Sequence, residues 1–345
     1  MNLWQQYLDK KATVDGMYFP RQAAADLGVS EGALVADAPD TIYLGNRIRE
    51  LVLKLETLGE VLSVVRNDVV VHEKIGVYEH VTLTARSGLA LNVGKLDLRF
   101  FLQHWHHALA TINVYGDKSL RSIQFFDEYG MNIEKVFMRD DSKLDAWQAL
   151  IEEFGTEGKP EFLPAPVTAV TAPEPLSAQR EQAFQERWNE LKDVHHFGGI
   201  LETFNIDRQQ SYRHAPAGQT KLLDSSVWEK VLQQAQEKQL EIMVFVGNRG
   251  LVQIQTGKLH NVVRSHGYLN VLDVKVPEEG FDLHIRDTEI VETWVVRRPI
   301  SEGYVTCLEG FDKNRNTVIQ IFGRRDEGND EMQSWHQLTD ALLAD

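Results

Sequence analysis

Two adjacent histidines stand in the segment Asp-Val-His-His-Phe-Gly-Gly at 193–199. A 3- and 4-residue spacing, which predicts one helical stripe, relates Trp188, Leu191, His195 and Gly199. The stripe puts His195 on the buried or cleft-facing side of the helix, while His196 points about 100° away. The paired glycines are unfavourable inside a helix, so either a flat ligand that approaches the backbone or a simple helix end must account for them. His195 is therefore a candidate ligand, with a core or surface histidine as the alternative.

A second histidine group is His104-Trp105-His106-His107. On a strand, His104 and His106 would point to one face and form a possible metal pair. No cysteine or carboxylate lies beside them in the sequence, although Asp117 or Asp127 could approach in space, and zinc sites usually use three or four protein ligands. Solvent-facing histidines are the alternative, and the role of this group stays open.

Arginines recur in strand-like contexts, at Arg99, at Arg297-Arg298 and at Arg324-Arg325. A guanidinium between apolar neighbours can line a cleft, where its fork suits a carboxylate. The same pattern also fits the solvent face of an antiparallel sheet.

The overall composition excludes several function classes. The chain has 36 basic and 51 acidic residues, a formal charge of −15, which argues against nucleic acid and anionic lipid as partners. Cys307 is the single cysteine, so neither an intramolecular disulfide nor a cysteine-rich metal site is expected. No apolar leader or run of about 18 apolar residues is visible, so we expect a cytoplasmic protein without membrane insertion.

The chain is organised as two related halves. Five of its ten prolines fall within 157–179, which predicts an extended connector between an N-terminal repeat at 1–156 and a C-terminal repeat at 180–345. A collinear series of matches, at offsets that grow from about 181 to 188, supports a duplication. It includes Arg66-Asn67-Asp68 with Gly247-Asn248-Arg249, Leu96-Asp97-Leu98-Arg99 with Phe281-Asp282-Leu283-His284, and Phe126-Asp127 with Phe311-Asp312.

The coarse pattern of each half predicts an α+β fold. Helical starts at 2–10 and 22–29, and at 180–203 and 226–237, lead into strand-like runs at hairpin spacing, such as 241–246, 251–256 and 260–264. Strands that follow one another without intervening helices favour a large, mainly antiparallel sheet with flanking helices. Amphipathic helices at 142–154 and 329–343 close the two halves. No dinucleotide-binding, Walker or hydrolase motif is present.

These features together resemble the bacterial hemin-degrading, haem-utilisation proteins of the HemS/ChuS type. The resemblance runs over essentially the whole chain. Its most specific motifs are Asp-Val-His at 193–195, Asp-Leu-Arg at 97–99, Ser-Ile-Gln-Phe-Phe-Asp at 122–127, Arg-Gln-Gln at 208–210, Glu-Ile-Met-Val-Phe-Val-Gly-Asn-Arg-Gly at 241–250, Gly-Tyr-Val-Thr at 303–306 and Gln-Ile-Phe-Gly-Arg-Arg-Asp-Glu-Gly at 320–328.

The resemblance implies a haem cleft on the C-terminal repeat, to which the N-terminal repeat lends residues. His195 would be the proximal iron ligand, and Arg99 would act on the distal side of the iron. The remaining residues implied at the haem edge, the propionates and the pocket wall are Arg208, Phe245, Arg298, Gln320, Phe322 and Arg325.

Three departures from the family pattern bear on this expectation. Relatives often carry lysine at the position of Arg298 and tyrosine at that of Phe322, so a phenol hydrogen bond would be absent here. Gly198-Gly199 replaces bulkier residues, which would widen the proximal side. His196 offers a second imidazole and hence an alternative iron ligand.

The expected function is oxidative haem degradation that releases iron for iron acquisition. Haem would be both substrate and ligand, and an external electron donor is needed because no flavin or nicotinamide motif is visible. The alternatives are a haem chaperone or storage protein that delivers haem to a separate haem oxygenase, and a scaffold that has lost haem contact. Expected partners are a reductase, an inner-membrane haem importer or that oxygenase.

Overall fold

The computed structural model describes residues 2–115, 118–166, 170–301, 303–325 and 332–344. Its chain divides into two compact units. Unit 1 comprises Met1–Arg66, His72–Val167 and Gly247–Gln253, and unit 2 comprises Asn67–Val71, Thr168–Val246 and Ile254–Asp345.

The first half of the chain is built from helices at its start and end with strands between them. The helices are α1 (Leu3–Lys11), α2 (Pro20–Leu27), α3 (Glu31–Ala36), α4 (Ile48–Lys54) and α5 (Leu144–Phe154). The strands are β1 (Ile42–Tyr43), β2 (Val61–Arg66), β3 (Val70–Gly76), β4 (Val81–Leu83), β5 (Ser87–Ala90), β6 (Asp97–Phe101), β7 (His107–Tyr115), β8 (Lys118–Phe126) and β9 (Asn132–Met138).

The second half has the same plan. Its helices are α6 (Ala178–Asn189), α7 (Phe197–Phe204), α8 (Arg208–Arg213), α9 (Val227–Glu237) and α10 (Gln333–Ala344). Its strands are β10 (Thr220–Leu223), β11 (Ile242–Gly247), β12 (Leu251–Gly257), β13 (Val262–Ser265), β14 (Tyr268–Asp273), β15 (Phe281–Ile285), β16 (Glu292–Pro299), β17 (Tyr304–Phe311) and β18 (Thr317–Gly323).

Strand order repeats between the halves. The first half has the order β1-β7-β8-β9-β2-β3 and a meander β4-β5-β6; the second has β10-β16-β17-β18-β11-β12 and a meander β13-β14-β15. The two orders are identical when the strand numbers shift by nine. Neighbouring strands pair antiparallel, for example β7 with β8 and β16 with β17. The predicted α+β class with antiparallel sheets is confirmed.

In unit 2 the main sheet is apolar on both faces, because each face is covered by helices. Val295, Leu308 and Ile321 point to a core shared with α9 and α10. The alternating residues of β16 and β17, among them Trp294 and Cys307, point to a second core made with α6, α7 and α8. This second face carries the candidate functional residues.

Candidate functional site

His195 lies in a 3₁₀ turn, Val194–His196, that precedes α7. The Asp193 carboxylate accepts the backbone N–H of His195 at 2.9 Å and the ring Nδ1 at 2.7 Å. The hydrogen bond from the backbone holds the pKa of Asp193 below its usual range, against a small opposing effect of burial. The imidazole is 68% exposed, and its Nε2 has no hydrogen-bond partner among the described residues.

The expectation of one continuous helix over 180–203, with His195 on its buried or cleft-facing side, is wrong about the extent of the helix. Helix α6 ends at Asn189, and Asp193 in an extended conformation starts a new turn. Aspartate is a strong N-cap because its side chain satisfies backbone N–H groups that a helix start leaves unpaired. The cap therefore breaks the periodic pattern and brings His195 to the surface.

Gly198 and Gly199 leave bare backbone in the first turn of α7, next to His195. Both are exposed, and a Cβ added at either position would meet no atom within 4 Å. The packing of the described residues therefore supplies no steric reason for two glycines here. A flat group that approaches this turn from solvent would supply one.

Beneath the turn lies a buried polar cluster on the face of β16 and β17. Glu309 is fully buried and accepts the hydroxyl of Tyr212 at 2.6 Å. The guanidinium groups of Arg208 and Arg298 each approach a Glu309 oxygen at 3.5 Å. Two cations thus face one carboxylate, which leaves a net positive charge at the site of an acidic protein.

The cluster is linked to the histidine turn through Phe197. This ring lies 4.7 Å from the Arg298 guanidinium and 5.6 Å from that of Arg208, both measured to the ring centroid. Arg298 is 5% exposed, whereas Arg208 is 33% exposed, so Arg208 is the guanidinium that solvent reaches. Cation–π contact at these distances helps to hold both arginines in place.

The electrostatics of the cluster favour charged arginines and a charged glutamate. Burial alone would raise the pKa of Glu309, but Arg208 and Arg298 overcome it and lower the pKa. Burial and the Glu309 charge together raise the pKa of the Tyr212 phenol, so Tyr212 remains a donor. The arrangement can hold an anion at its exposed end, because a partly exposed guanidinium suits a carboxylate.

The predicted strand residues of unit 2 share one face of the sheet. Gln320 is paired in register with Phe245 and with Glu309, and it donates to the latter carboxylate at 2.8 Å. Phe245 and Phe322 pack edge to face with centroids 5.1 Å apart. Arg325 follows the same strand and is half-buried. The structure thus brings Arg208, Phe245, Arg298, Gln320 and Phe322 to one side of the sheet.

His196 is exposed, and the described residues place no hydrogen-bond partner on its ring. It lies at the end of the turn directly before Phe197. Its imidazole is thus available to solvent, like that of His195, but it does not share the hydrogen bond that Asp193 makes with the His195 ring.

Arg99 belongs to unit 1. It lies on β6 and forms an ion pair with the buried Asp97. Burial raises the pKa of Asp97, and Arg99 opposes that rise. Leu89 on β5 lies opposite Arg99 and is exposed, and so is Leu91. Phe101, on β6 like Arg99, is exposed as well. Leu89 and Phe101 thus leave apolar surface beside Arg99.

His104 and His106 lie outside the strands, at the end of a 3₁₀ turn and just after it, whereas His107 is the first residue of β7. A 3₁₀ turn ends at His104, which contacts Arg249 at 2.9 Å, and His106 lies 3.5 Å from Glu128. His107 contacts the Tyr43 hydroxyl at 2.8 Å. Among the described residues, no three His, Cys, Asp or Glu side chains are arranged to hold a metal ion.

Sequence reasoning missed Tyr212, Phe197 and Glu309. Glu309 is the one charged residue in the strand-like segment at 304–311, and this pattern could have identified it. A carboxylate between buried neighbours needs partners that compensate its charge. Tyr212 and Phe197 had no such signal, since aromatic residues on helices are ordinary core residues.

Comparison with known proteins decides the family. The model of the haemin-degrading HemS.ChuX domain matches residues 28–154 and 205–342. The chain belongs to this family. The two matched segments fall in the two halves, in agreement with the repeated strand order, so the tandem duplication is confirmed.

Relatives cover almost the full length of the chain. The hemin transport protein HemS of Yersinia enterocolitica is 36% identical over 97% of this chain and 95% of its own. The structure of ChuS, a haem-degrading enzyme of Escherichia coli O157:H7, matches with a TM-score of 0.89 at 32% identity over 99% and 98% of the two chains. Holo-PhuS, a haem-binding protein from Pseudomonas aeruginosa, matches with a TM-score of 0.88 at 35% identity over 98% and 97%.

Every helix in the described part of the chain is too short or too polar to cross a membrane.

Proposed function

We propose that this chain binds haem through His195 and opens the porphyrin ring oxidatively, releasing iron and a linear tetrapyrrole. The observation that carries the proposal is the exposed His195 imidazole, with its Nε2 unengaged, beside the bare turn at Gly198 and Gly199. A neutral imidazole is a good haem-iron ligand. A relative that is a haem-degrading enzyme supports the oxidative step.

The chain's own residues would bind and orient the haem. Arg208 is partly exposed above the buried Glu309 and suits a propionate, while Arg298 stays buried as its companion cation. Phe245 and Phe322 offer an apolar wall for the ring. Arg325 and Gln320 are further proposed contacts, and His196 is a proposed alternative ligand. Arg99 is a proposed contributor to turnover.

Haem supplies the iron at which oxygen is activated, and an external donor supplies the electrons. We place the reaction in the cytoplasm, in iron acquisition, with a reductase and an inner-membrane haem importer as the proposed partners. These placements follow the family resemblance and the hemin-transport relative.

The test is aerobic turnover of the hemin complex with a reductant while catalase removes free peroxide. Loss of the Soret band, with iron captured by a ferrous chelator and a linear tetrapyrrole extracted, is the expected result. Retention of the Soret band without released iron would refute the enzymatic proposal.

The haem-chaperone alternative predicts a different behaviour. A chaperone delivers haem to a partner oxygenase faster than haem dissociates into a large excess of apomyoglobin. Transfer at the dissociation rate, together with turnover in the aerobic assay, would exclude it.

A further inference from the structure

Asp193 makes two hydrogen bonds through a single oxygen to the same residue. Its Oδ1 accepts the backbone N–H of His195 at 2.9 Å and contacts the ring Nδ1 at 2.7 Å. A carboxylate only accepts, so Nδ1 must carry the proton. The lone pair of the neutral ring is then on Nε2, which points away from Asp193.

We infer that Asp193 is the positioning residue that fixes His195 as an Nε2 iron ligand and selects it over His196. This inference rests on the proposed function, because it concerns the same site. His196 is also exposed, but Asp193 hydrogen-bonds to the ring of His195 and not to that of His196. Of two adjacent imidazoles, one is held in the tautomer and orientation that an iron ligand needs.

The carboxylate also makes His195 a stronger electron donor. A ring whose Nδ1–H donates to an anion gives more electron density to a metal at Nε2, and such partners of a ligating histidine typically contribute 10–100-fold to metal affinity. A more strongly donating ligand favours ferric over ferrous iron. The pair would therefore lower the reduction potential of the complex and slow the loss of hemin.

A purely structural role for Asp193 as the cap of the turn is the competing explanation. Asp193→Asn separates the two, because the amide oxygen still accepts both N–H groups but carries no charge. Asp193→Ser retains a capping oxygen but cannot reproduce the hydrogen bond from the ring to a charged carboxylate. Far-ultraviolet circular dichroism and thermal unfolding check that both variants remain folded.

The experiment uses the full-length protein loaded with hemin. Resonance Raman measures the iron–histidine stretching band of the reduced, ferrous haem complex, and a redox titration measures the reduction potential of the bound iron. Wild type is compared with Asp193→Asn, Asp193→Ser, His195→Ala and His196→Ala. In Asp193→Asn we expect a lower band frequency, a higher reduction potential and about ten-fold faster hemin dissociation. Asp193→Ser should change all three quantities further in the same directions, and His196→Ala should leave them unchanged.

The outcomes distinguish this inference from the proposed function. If His195→Ala loses the band but Asp193→Asn keeps the wild-type frequency and potential, the inference is refuted and the ligand assignment stands. If His195→Ala keeps the wild-type band, the ligand assignment fails and the inference fails with it.

Discussion

Replacement of Gly199 by alanine should stabilise the free protein and weaken hemin binding. The position lies in α7, is exposed and has no atom within 4 Å of an added Cβ, so the methyl group creates no clash. Alanine is better than glycine in a helix by about 1 kcal/mol. For a unit of this size, that gain raises the melting temperature by about 2–4 °C. A methyl group in the path of a flat ligand should at the same time raise the dissociation constant.

The assays are thermal unfolding without ligand and hemin titration by absorbance, on Gly199→Ala and on Glu202→Ala as the matched control. Glu202 lies one turn further along the same exposed face of α7. The control should keep the wild-type hemin affinity. If Gly199→Ala is stabilised and binds hemin as tightly as wild type, the glycines are not there to admit a ligand and the reasoning is wrong.

Three further predictions concern the buried carboxylates and Arg99. Burial raises the pKa of Glu134 from 4.5 to about 7, so the unfolding free energy should fall by about 3 kcal/mol as the pH rises from below 4.5 through 7. Glu134→Gln should remove that fall. If denaturant titrations give both proteins the same dependence of unfolding free energy on pH over this range, the prediction is contradicted. Tyr212→Phe deletes the 2.6 Å hydrogen bond to Glu309 and should lower the unfolding free energy by about 1–3 kcal/mol. An unchanged urea midpoint would contradict this and show that the hydrogen bond from Gln320 satisfies the Glu309 carboxylate without Tyr212. Arg99→Ala should reduce aerobic haem turnover about 100-fold and leave the hemin affinity within a few-fold of the wild-type value. If the variant turns haem over as fast as wild type, Arg99 has no role in the reaction.

The repeated antiparallel architecture was predictable because its signals are local. Alternating apolar residues at hairpin spacing give antiparallel strands, and β11, β12 and β13 fall where the pattern at 241–264 predicted them. Helices α5 and α9 also begin and end within two residues of prediction. In these segments local propensity and packing favour the same structure.

The site residues stay predictions, but the local structure around His195 differs from the expectation. The helical period predicted one continuous helix through His195, whereas a capping aspartate starts a new turn there and leaves the imidazole exposed. The cluster around Glu309 joins α8 to β17 across about 100 positions of sequence, and no local pattern reports such a contact. Long-range ion pairs depend on packing that sequence periodicity does not encode.

The most direct test of the central claim is hemin titration of wild type, His195→Ala, His196→Ala and the double variant, followed by absorption and electron paramagnetic resonance of the ferric complexes. If His195 is the iron ligand, His196→Ala keeps the wild-type affinity and spectrum. His195→Ala changes both, and the double variant loses the tight complex because no second imidazole is left to substitute. A double variant that binds hemin with the wild-type affinity and spectrum would contradict the claim.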